Sequence, residues 1–485
     1  MKKNKIKSSQ KKKIFAKLKL FVILSFLPIL FFLMVITSKI ALGPFYLPKN
    51  KDPDYAYLLN SISLLQAGTK IKHVDHPGTT MHLWTALVFK IWYNLPFSYH
   101  DDWIVTSVLR DPETYLMIVM LSTNFLLAIS LFIFALIIYL ITQDIQLALI
   151  GQSCIFLVHN SFSFLSHVAP EQILLSIVFL ITALIIWMFF SSNWEKISIY
   201  NKITIYNQIA YLFKDKFKPK KSTVFIEFFI NGITILLGFL AGLGVVSKLT
   251  FFPIFFLIFW RLKKISYWIT TLFTTLVTIY FATIPIHYRW VYIKGWISAL
   301  FFASEQYGYG SKTIIALPEM KENAGFFLKA EPFFLLVLLL TFLTLIYFFK
   351  KRKKKNQFYT FLLGLFLTQL ISLFFVIKHY SSRYILPVIP LSGAILVIIL
   401  YLTKQDFPKL KNKFFILYFL ILTVKTIIFF DQQFIKINKL SPLSEEAEEL
   451  EIKRAIDFGL IFADKKNKYV LNKVFGDYFP IEDKK

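Results

Sequence analysis

Residues 1–42 read MKKNKIKSSQKKKIFAKLKLFVILSFLPILFFLMVITSKIAL, and this stretch decides the class of fold. Nine lysines stand within its first 19 residues, and an apolar run follows from about Leu20 to Leu42. A secretory signal has an apolar core of about 7–15 residues and a cleavage site of small residues. The run fits neither feature, so we expect an uncleaved first membrane helix with its N-terminus inside.

The composition of the whole chain agrees with a membrane protein. Of the 485 residues, 56% are hydrophobic and 17% are charged, whereas a soluble domain carries about 25% charged residues. The net charge of +27 comes from lysine clusters between apolar runs, which is how membrane topology is encoded, so we expect no nucleic-acid partner. The single cysteine, Cys154, excludes an intrachain disulfide, a Cys-rich zinc site and an iron–sulfur cluster.

Ten more apolar runs are long enough, or nearly so, to cross a bilayer, which takes about 17–25 residues. They cover 115–141, 146–166, 172–190, 224–246, 249–260, 265–286, 333–349, 357–377, 384–402 and 414–430. The sequence thus predicts an all-α polytopic membrane protein with about 11 transmembrane helices.

Basic loops test this count. The loop 191–223 carries seven lysines, and three other alternate loops, at 261–264, 350–355 and 404–413, are also positive. With the N-terminus inside, all four fall on the cytoplasmic side, as the positive-inside rule requires. Omitting the short run 249–260 would place two of them outside, so we keep it.

This topology divides the chain into two parts in the cytoplasmic (inner) membrane. Residues 1–430 form the multi-spanning domain, and residues 431–485 form a short extracytoplasmic tail. Two large loops, 43–114 and 287–332, face outside. We expect juxtamembrane helices in the first of these loops, and we expect the active site to face outside.

The first outer loop opens with two carboxylates, Asp52 and Asp54, separated by a proline. Two like charges just beyond a membrane helix raise the pKa of one of them, which is how a general base is made. The alternative is that Asp-Pro-Asp is the N-cap of an amphipathic helix over 55–66. One aspartate could cap while the other reacts.

Further along this loop, His73–His82 reads HVDHPGTTMH. The Pro-Gly turn and the two threonines after it can begin a helix whose free N–H groups suit a phosphate. Asp75 could orient the imidazole of His76. A metal site and a structured turn without chemistry remain alternatives.

Two further ionisable residues stand at predicted outer ends of spans. Glu171 follows Pro170 in a very short loop, where it is either functional or a helix cap. Lys248 lies between two apolar runs, where it either snorkels to the interface or meets a lipid phosphate.

The last two candidate segments also lie outside. Tyr307 belongs to the Gly- and Tyr-rich stretch 304–312, which is typical of a mobile flap over a sugar. Lys378, His379 and Arg383 form a basic cluster, and Arg offers a fork for phosphate oxygens. An interfacial anchor of Arg383 and Tyr384 is the alternative.

Together, outer carboxylates and an outer basic cluster describe one site. A lipid-borne phosphate would enter from the membrane, and an acceptor would lie near a carboxylate base. The leaving lipid phosphate needs cations rather than an acid. This is the chemistry of glycosyl transfer from a polyprenyl-phosphate sugar to an extracytoplasmic acceptor.

The ordered set of motifs resembles the GT-C superfamily of membrane glycosyltransferases, over roughly residues 20–430. Asp52-Pro53-Asp54-Tyr55 resembles the acidic motif of the first outer loop in protein O-mannosyltransferases and aminoarabinose transferases. His167–Glu171 resembles the second acidic position, and Gly242–Lys248 a Gly-rich segment ending in Ser-Lys. Lys378–Pro387 resembles a mannosyltransferase stretch, although its acidic residue is replaced here by Tyr380 and Ser381.

The resemblance implies roles for these residues and inversion at the anomeric carbon. Asp54 would be the general base with Asp52 as its neighbour or substitute, and Glu171 would position the acceptor or a metal. By the resemblance, Lys248, His379 and Arg383 would contact the donor phosphate. Apart from the resemblance, we expect Lys378 to join these cations, and we expect Asp75, His76 and Tyr307 to help position the donor or the acceptor. No resident cofactor is expected, and a divalent cation is optional in this superfamily.

Three other functions compete with this one. A flippase for polyprenyl-linked sugars, or another transporter, would place ionisable groups at the bilayer midplane, where this sequence has few. A membrane acyltransferase would use an intramembrane histidine, and only His159 and His167 lie among the apolar runs. A scaffold without enzymatic activity would leave the outer acidic and basic clusters unexplained.

Overall fold

Helices are the only regular elements in the part of the chain that the computed structural model describes. That part comprises residues 2–45, 54–67, 71, 78–96, 103–158, 161–192, 222–262, 264–302, 317–350, 357–377, 380–406 and 408–440.

Eighteen α-helices follow one another in these residues, and short 3-10 turns precede or extend some of them. The first nine are α1 (Lys2–Leu42), α2 (Asp54–Ala67), α3 (Thr79–Tyr93), α4 (Ile104–Arg110), α5 (Pro112–Thr142), α6 (Ile145–Ser153), α7 (Ser161–Leu165), α8 (Pro170–Ser192) and α9 (Ser222–Ser247). The other nine are α10 (Phe252–Arg261), α11 (Ile265–Thr283), α12 (Trp290–Phe302), α13 (Leu317–Ala330), α14 (Pro332–Lys350), α15 (Gln357–Ile377), α16 (Ser382–Ile385), α17 (Ile389–Asp406) and α18 (Pro408–Leu440).

Among the described residues, eight helical stretches are long and apolar enough to cross a membrane. They are Lys17–Leu42, Pro112–Thr142, Pro170–Phe190, Ile265–Gly295, Pro332–Lys350, Phe358–Ile377, Ser382–Lys404 and Asn412–Ile437. Each corresponds to one predicted span. In the bilayer core a helix satisfies its own backbone groups, so this is the architecture of a polytopic membrane protein.

The three remaining predicted spans correspond to shorter apolar helices, Ile145–Leu157, Gly232–Ser247 and Leu249–Arg261. The run 146–166 is not one continuous helix, because α6 passes into a 3-10 turn and the chain resumes as α7. The last helix, α18, extends to Leu440, so ten residues of the predicted tail belong to it; the rest of the tail lies outside the described residues.

The first predicted outer loop, 43–114, contains the helices α2, α3 and α4, as expected. The stretch 55–66 was expected to be amphipathic, but α2 is buried on every side from Asp54 to Ser63. Its polar side chains tolerate this because they donate to carbonyls one turn back: Asn60 to Ala56 at 2.7 Å and Ser61 to Tyr57 at 2.7 Å. The helix is thus a part of the core and holds its N-terminus firmly in place.

α9 packs closely on α11 over its middle turns. Thr271 and Thr275 of α11 donate to the carbonyls of Thr234 (3.2 Å) and Gly238 (3.1 Å) on α9. Small residues allow backbones of membrane helices to approach closely. α9, which ends at Ser247 just before Lys248, is therefore held against α11.

Candidate functional site

Asp54, the first residue of α2, lies against the turn between α7 and α8. Its Oδ2 is 3.0 Å from Nδ1 of His167, and its Oδ1 accepts a hydrogen bond from the backbone N–H of Val168 at 2.5 Å. The carboxylate is only 2% exposed. Both partners belong to a distant part of the sequence. The side chain of Asp54 therefore binds the turn and does not cap its own helix.

The turn itself is fixed by buried polar side chains. Gln172 of α8 donates from Nε2 to the carbonyls of Leu165 (3.0 Å) and His167 (2.5 Å). Asn124 of α5 donates from Nδ2 to the same Leu165 carbonyl at 2.8 Å. These hydrogen bonds tie the turn to α5 and α8 and so restrict where the imidazole of His167 can lie.

Two further charged residues, Glu113 and Lys39, lie near Asp54. Glu113, in the first turn of α5, accepts from the Tyr55 hydroxyl and from the Phe45 backbone N–H, both at 2.8 Å. Lys39, near the end of α1, is buried and donates to the carbonyl of Gly43 at 2.7 Å. The charge of Lys39 acts on both Asp54 and Glu113. The ends of α1, α2 and α5 therefore meet in one charged cluster.

Glu171 and Lys248 form a buried ion pair on the other side of the turn. Glu171 stands in the first turn of α8, and its Oε1 accepts from Nζ of Lys248, which follows the end of α9. Each residue is only 2% exposed. Lys248 is thus neither a snorkelling anchor nor a surface cation, and its ammonium group lies within the site.

The N-terminus of α3 joins this pair. Gly78 has a φ of 47°, a left-handed conformation that glycine adopts without strain, and α3 begins at the next residue, as the Pro-Gly turn predicted. The hydroxyls of Thr80 and Ser247 are 2.7 Å apart. Among the described residues, no partner is found for the buried hydroxyl of Thr79. The helix end and Lys248 are therefore neighbours.

Arg383 and Tyr384, in α16, complete the cationic side. Nζ of Lys248 lies 4.8 Å from the centre of the Tyr384 ring, and the Arg383 guanidinium lies 5.3 Å from it. Arg383 is partly exposed, whereas Lys248 is buried. One tyrosine ring thus lies close to both a buried cation and a more accessible one.

Tyr380 connects this segment to α14. Its hydroxyl lies 3.1 Å from Oγ of Ser382 and donates to Oε1 of the buried Glu331 at 3.4 Å. Burial, more than the neighbouring Glu331, raises the pKa of Tyr380 to about 12. The phenol therefore remains protonated at neutral pH and can keep donating to Glu331.

The structure brings together four of the predicted site residues: Asp54, Glu171, Lys248 and Arg383. The other predicted site residues lie outside the described residues. These are Asp52, Asp75, His76, Tyr307, Lys378 and His379.

The glycines of the Gly-rich segment serve packing. A Cβ on Gly242 would stand 2.6 Å from Cβ of Thr278 on α11, and one on Gly244 would stand 2.5 Å from the Phe251 ring. A real Cβ atom essentially never has a neighbour closer than 3.0 Å. These glycines let α9 and the following turn pack closely, and so place Lys248.

Three residues of the site were not predicted: His167, Lys39 and Glu113. His167 was considered only as part of the stretch that resembles the second acidic position and as a possible acyltransferase residue, although it stands four residues before Glu171 in the same short loop. Lys39 is an ionisable residue inside the first apolar run, and such residues are costly and mark functional regions. Both signals are readable from the sequence.

Within the described ranges, no three His, Cys, Asp or Glu side chains cluster closely enough to hold a metal ion. The carboxylate of Asp54 faces His167, and that of Glu171 faces Lys248.

Comparisons with known proteins give no assignment. The chain matches no family model, no curated protein and no solved structure.

Proposed function

We propose that this chain is an inner-membrane glycosyltransferase of the GT-C type. It moves a sugar, with inversion, from a polyprenyl-phosphate donor to an extracytoplasmic acceptor. The proposal includes eleven spans: the eight long apolar helices and the three shorter ones, with the N-terminus inside. In this topology the Asp54–His167 and Glu171–Lys248 pairs lie at the outer face of the membrane.

The observation that carries the proposal is a continuous set of contacts between an acidic and a cationic side. Asp54 contacts the turn that carries His167, Glu171 follows on the same turn, and Lys248 pairs with Glu171 and lies over Tyr384. Four separate chain segments meet here. Glycosyl transfer needs a proton acceptor near the nucleophile and cations near the leaving phosphate, and this arrangement supplies both.

The cationic side suits a donor phosphate. The ammonium of Lys248 has three protons, so a phosphate oxygen can share it with Glu171. Arg383 offers the bidentate fork that matches phosphate geometry, and it is partly exposed. The N-terminus of α3, next to Ser247, adds the positive end of a helix dipole.

A nearby groove suits the lipid tail. Helices α13, α14 and α15 line an open apolar groove of about 360 Å³. Its lining residues are Ala324, Phe327, Leu328, Leu335, Leu370, Leu373, Phe374 and Ile377. The ring of Phe327 lies 5.6 Å from that of Tyr380, three residues before Arg383. A tail in the groove would therefore end near the cations.

The test is transfer of labelled sugar from polyprenyl-phosphate donors by purified protein in lipid nanodiscs. We expect turnover in the wild type, and a raised KM for donor in Lys248→Met and Arg383→Met. Lys404→Met is the matched control, because Lys404 also pairs with a buried acid, Asp144 at 2.9 Å, on other helices. Unchanged donor KM in both site variants would contradict the assignment of the phosphate site.

A transporter of polyprenyl-linked sugars is the second candidate, and one observation favours it. Lys39 is buried inside an apolar helix, with Asp54 and Glu113 close enough for their charges to interact with it. Buried ionisable networks within membrane spans are typical of proton and substrate pathways. Movement of donor across liposomes without sugar transfer would favour this candidate.

A further inference from the structure

Both carboxylate oxygens of Asp54 already take part in hydrogen bonds. This bears on which group accepts the proton of the acceptor hydroxyl. One oxygen faces Nδ1 of His167 and the other accepts from the Val168 N–H. We propose that His167 is the general base of the reaction and that Asp54 is its positioning residue. This inference rests on the proposed function and assigns a role within the same site.

The hydrogen bond fixes the tautomer of His167. An ionised carboxylate can only accept, so the proton of the neutral imidazole must stand on Nδ1. The basic lone pair then belongs to Nε2, on the opposite side of the ring. An aspartate that orients a histidine in this way also stabilises the imidazolium that forms in the reaction. Oδ2 of Asp54 lies 3.0 Å from Nδ1 of His167, close enough both to orient the ring and to stabilise its charge.

The surroundings keep this pair in one arrangement. His167 is mostly buried, its own carbonyl accepts from Gln172, and α7, the helix just before its turn, packs against α1, α8 and α16. Among the described residues, the charged groups at the ends of the surrounding helices include Lys39 on α1, Glu113 on α5, Glu171 on α8, Lys248 after α9 and Arg383 on α16. Lys248 is matched by Glu171, so Asp54 is the direct counter-charge of His167.

Sugar transfer in this proposal is a single displacement at the anomeric carbon. The acceptor hydroxyl gives its proton to Nε2 of His167 while its oxygen forms a bond to the anomeric carbon of the sugar. The bond between that carbon and the phosphate oxygen breaks, and its electron pair leaves with the polyprenyl phosphate. His167 becomes an imidazolium beside the Asp54 carboxylate, and it then releases the proton from Nε2 to water.

The experiment compares His167→Asn with Asp54→Asn and the wild type in the sugar-transfer assay over a range of pH. The amide N–H of Asn can stand where Nδ1–H stood and can donate to Asp54, but it supplies no base. Monodispersity and thermal stability in detergent show that each variant is folded. His287→Gln is the control, because His287 lies 3.0 Å from Thr283 Oγ1 and outside the site.

We expect His167→Asn to lose about 10²–10⁴-fold in kcat, the usual contribution of a general base. Asp54→Asn should lose a similar amount, because its Oδ1 stays on the Val168 N–H and its amide N–H then faces Nδ1 of His167, which moves the imidazole proton to Nε2. The double variant should lose no more than His167→Asn alone, because the two residues act as a unit. The pH of half-maximal rate should fall in Asp54→Asn, because a carboxylate favours the imidazolium and its removal disfavours it.

Other results overturn the inference in distinguishable ways. If the wild type transfers sugar and folded His167→Asn keeps kcat within tenfold while Asp54→Asn is inactive, Asp54 is the base and the proposed function stands. If the wild type transfers sugar from no polyprenyl-phosphate donor, the proposed function fails and the base role of His167 fails with it.

Discussion

Asp54, Glu171 and Lys248 are ionisable side chains at positions that are each 2% exposed. Moving one such charge out of water costs several kcal/mol, and the cost is recovered only where a partner and further hydrogen bonds are in place. Each of the three has such a partner: His167 for Asp54, and the Glu171–Lys248 pair for the others. The two pairs therefore hold the starts of α2 and α8 and the end of α9 in fixed positions relative to one another.

We predict that Glu171→Gln and Lys248→Met each destabilise the protein by about 3–5 kcal/mol, because each leaves a buried charge without its partner. The double variant should be more stable than either single variant. Lys404→Met serves as control: Lys404 is 45% exposed, and Asp144 keeps its hydrogen bonds from the backbone N–H groups of Gln146 and Leu147, so the loss should cost about 1 kcal/mol or less. Thermal unfolding in detergent measures all four. Additive losses in the double variant would contradict the pairing.

The sequence indicated the acids but not their partners. Asp54 and Glu171 stand out because carboxylates are rare beside long apolar runs. Their partners lie 113 and 77 residues away along the chain, at His167 and Lys248. Pairings over such separations depend on which helix ends meet, and this is set by packing rather than by local pattern.

At the scale of elements, hydropathy predicted the helices well because a membrane helix needs a long apolar run. It did not predict the break between α6 and α7 or the full burial of α2. Both depend on neighbouring helices. At the break between α6 and α7, for example, the Ser153 hydroxyl lies 2.9 Å from the Tyr418 hydroxyl of α18, and the two residues are 265 positions apart in the sequence.

The contact of α9 with α11 leads to a prediction about its glycines. A Cβ on Gly238 would stand 2.5 Å from the Thr271 carbonyl oxygen, so Gly238→Ala must push the helices apart and should cost about 1–3 kcal/mol. Gly232 has nothing within 4 Å of its Cβ position, so Gly232→Ala should gain up to about 1 kcal/mol in helix propensity. Thermal unfolding of the two variants tests the difference. Equal stability would show that α9 and α11 are not in close contact.

The apolar groove between α13, α14 and α15 leads to a second prediction at this scale. Leu373→Trp adds bulk to the groove that Leu373 lines. We expect it to raise KM for a long polyprenyl donor several-fold while leaving KM for a donor with a two-isoprene tail unchanged. Initial rates with both donors provide the measurement. A similar rise for both donors would mean that the effect is not on the tail.

At the scale of the whole molecule, the basic loops predict topology, and labelling can test it. Cys154 is buried, so the native chain offers little background to a thiol reagent. We expect Glu322→Cys, an exposed position on α13, to react with a membrane-impermeant maleimide in intact cells. Lys353→Cys, in the predicted cytoplasmic loop 350–355, should react only after permeabilisation. The opposite pattern would reverse the orientation and place the site inside.

We expect one site, built by the Asp54–His167 and Glu171–Lys248 pairs, to transfer sugar rather than to move lipid. The most direct measurement uses purified wild-type protein in liposomes with a labelled polyprenyl-phosphate sugar and follows transfer and transbilayer movement in the same sample. We predict transfer to an acceptor outside the liposome, lost in His167→Asn, with no movement of donor above that of empty liposomes. Donor movement without transfer would contradict the claim and make this protein a transporter.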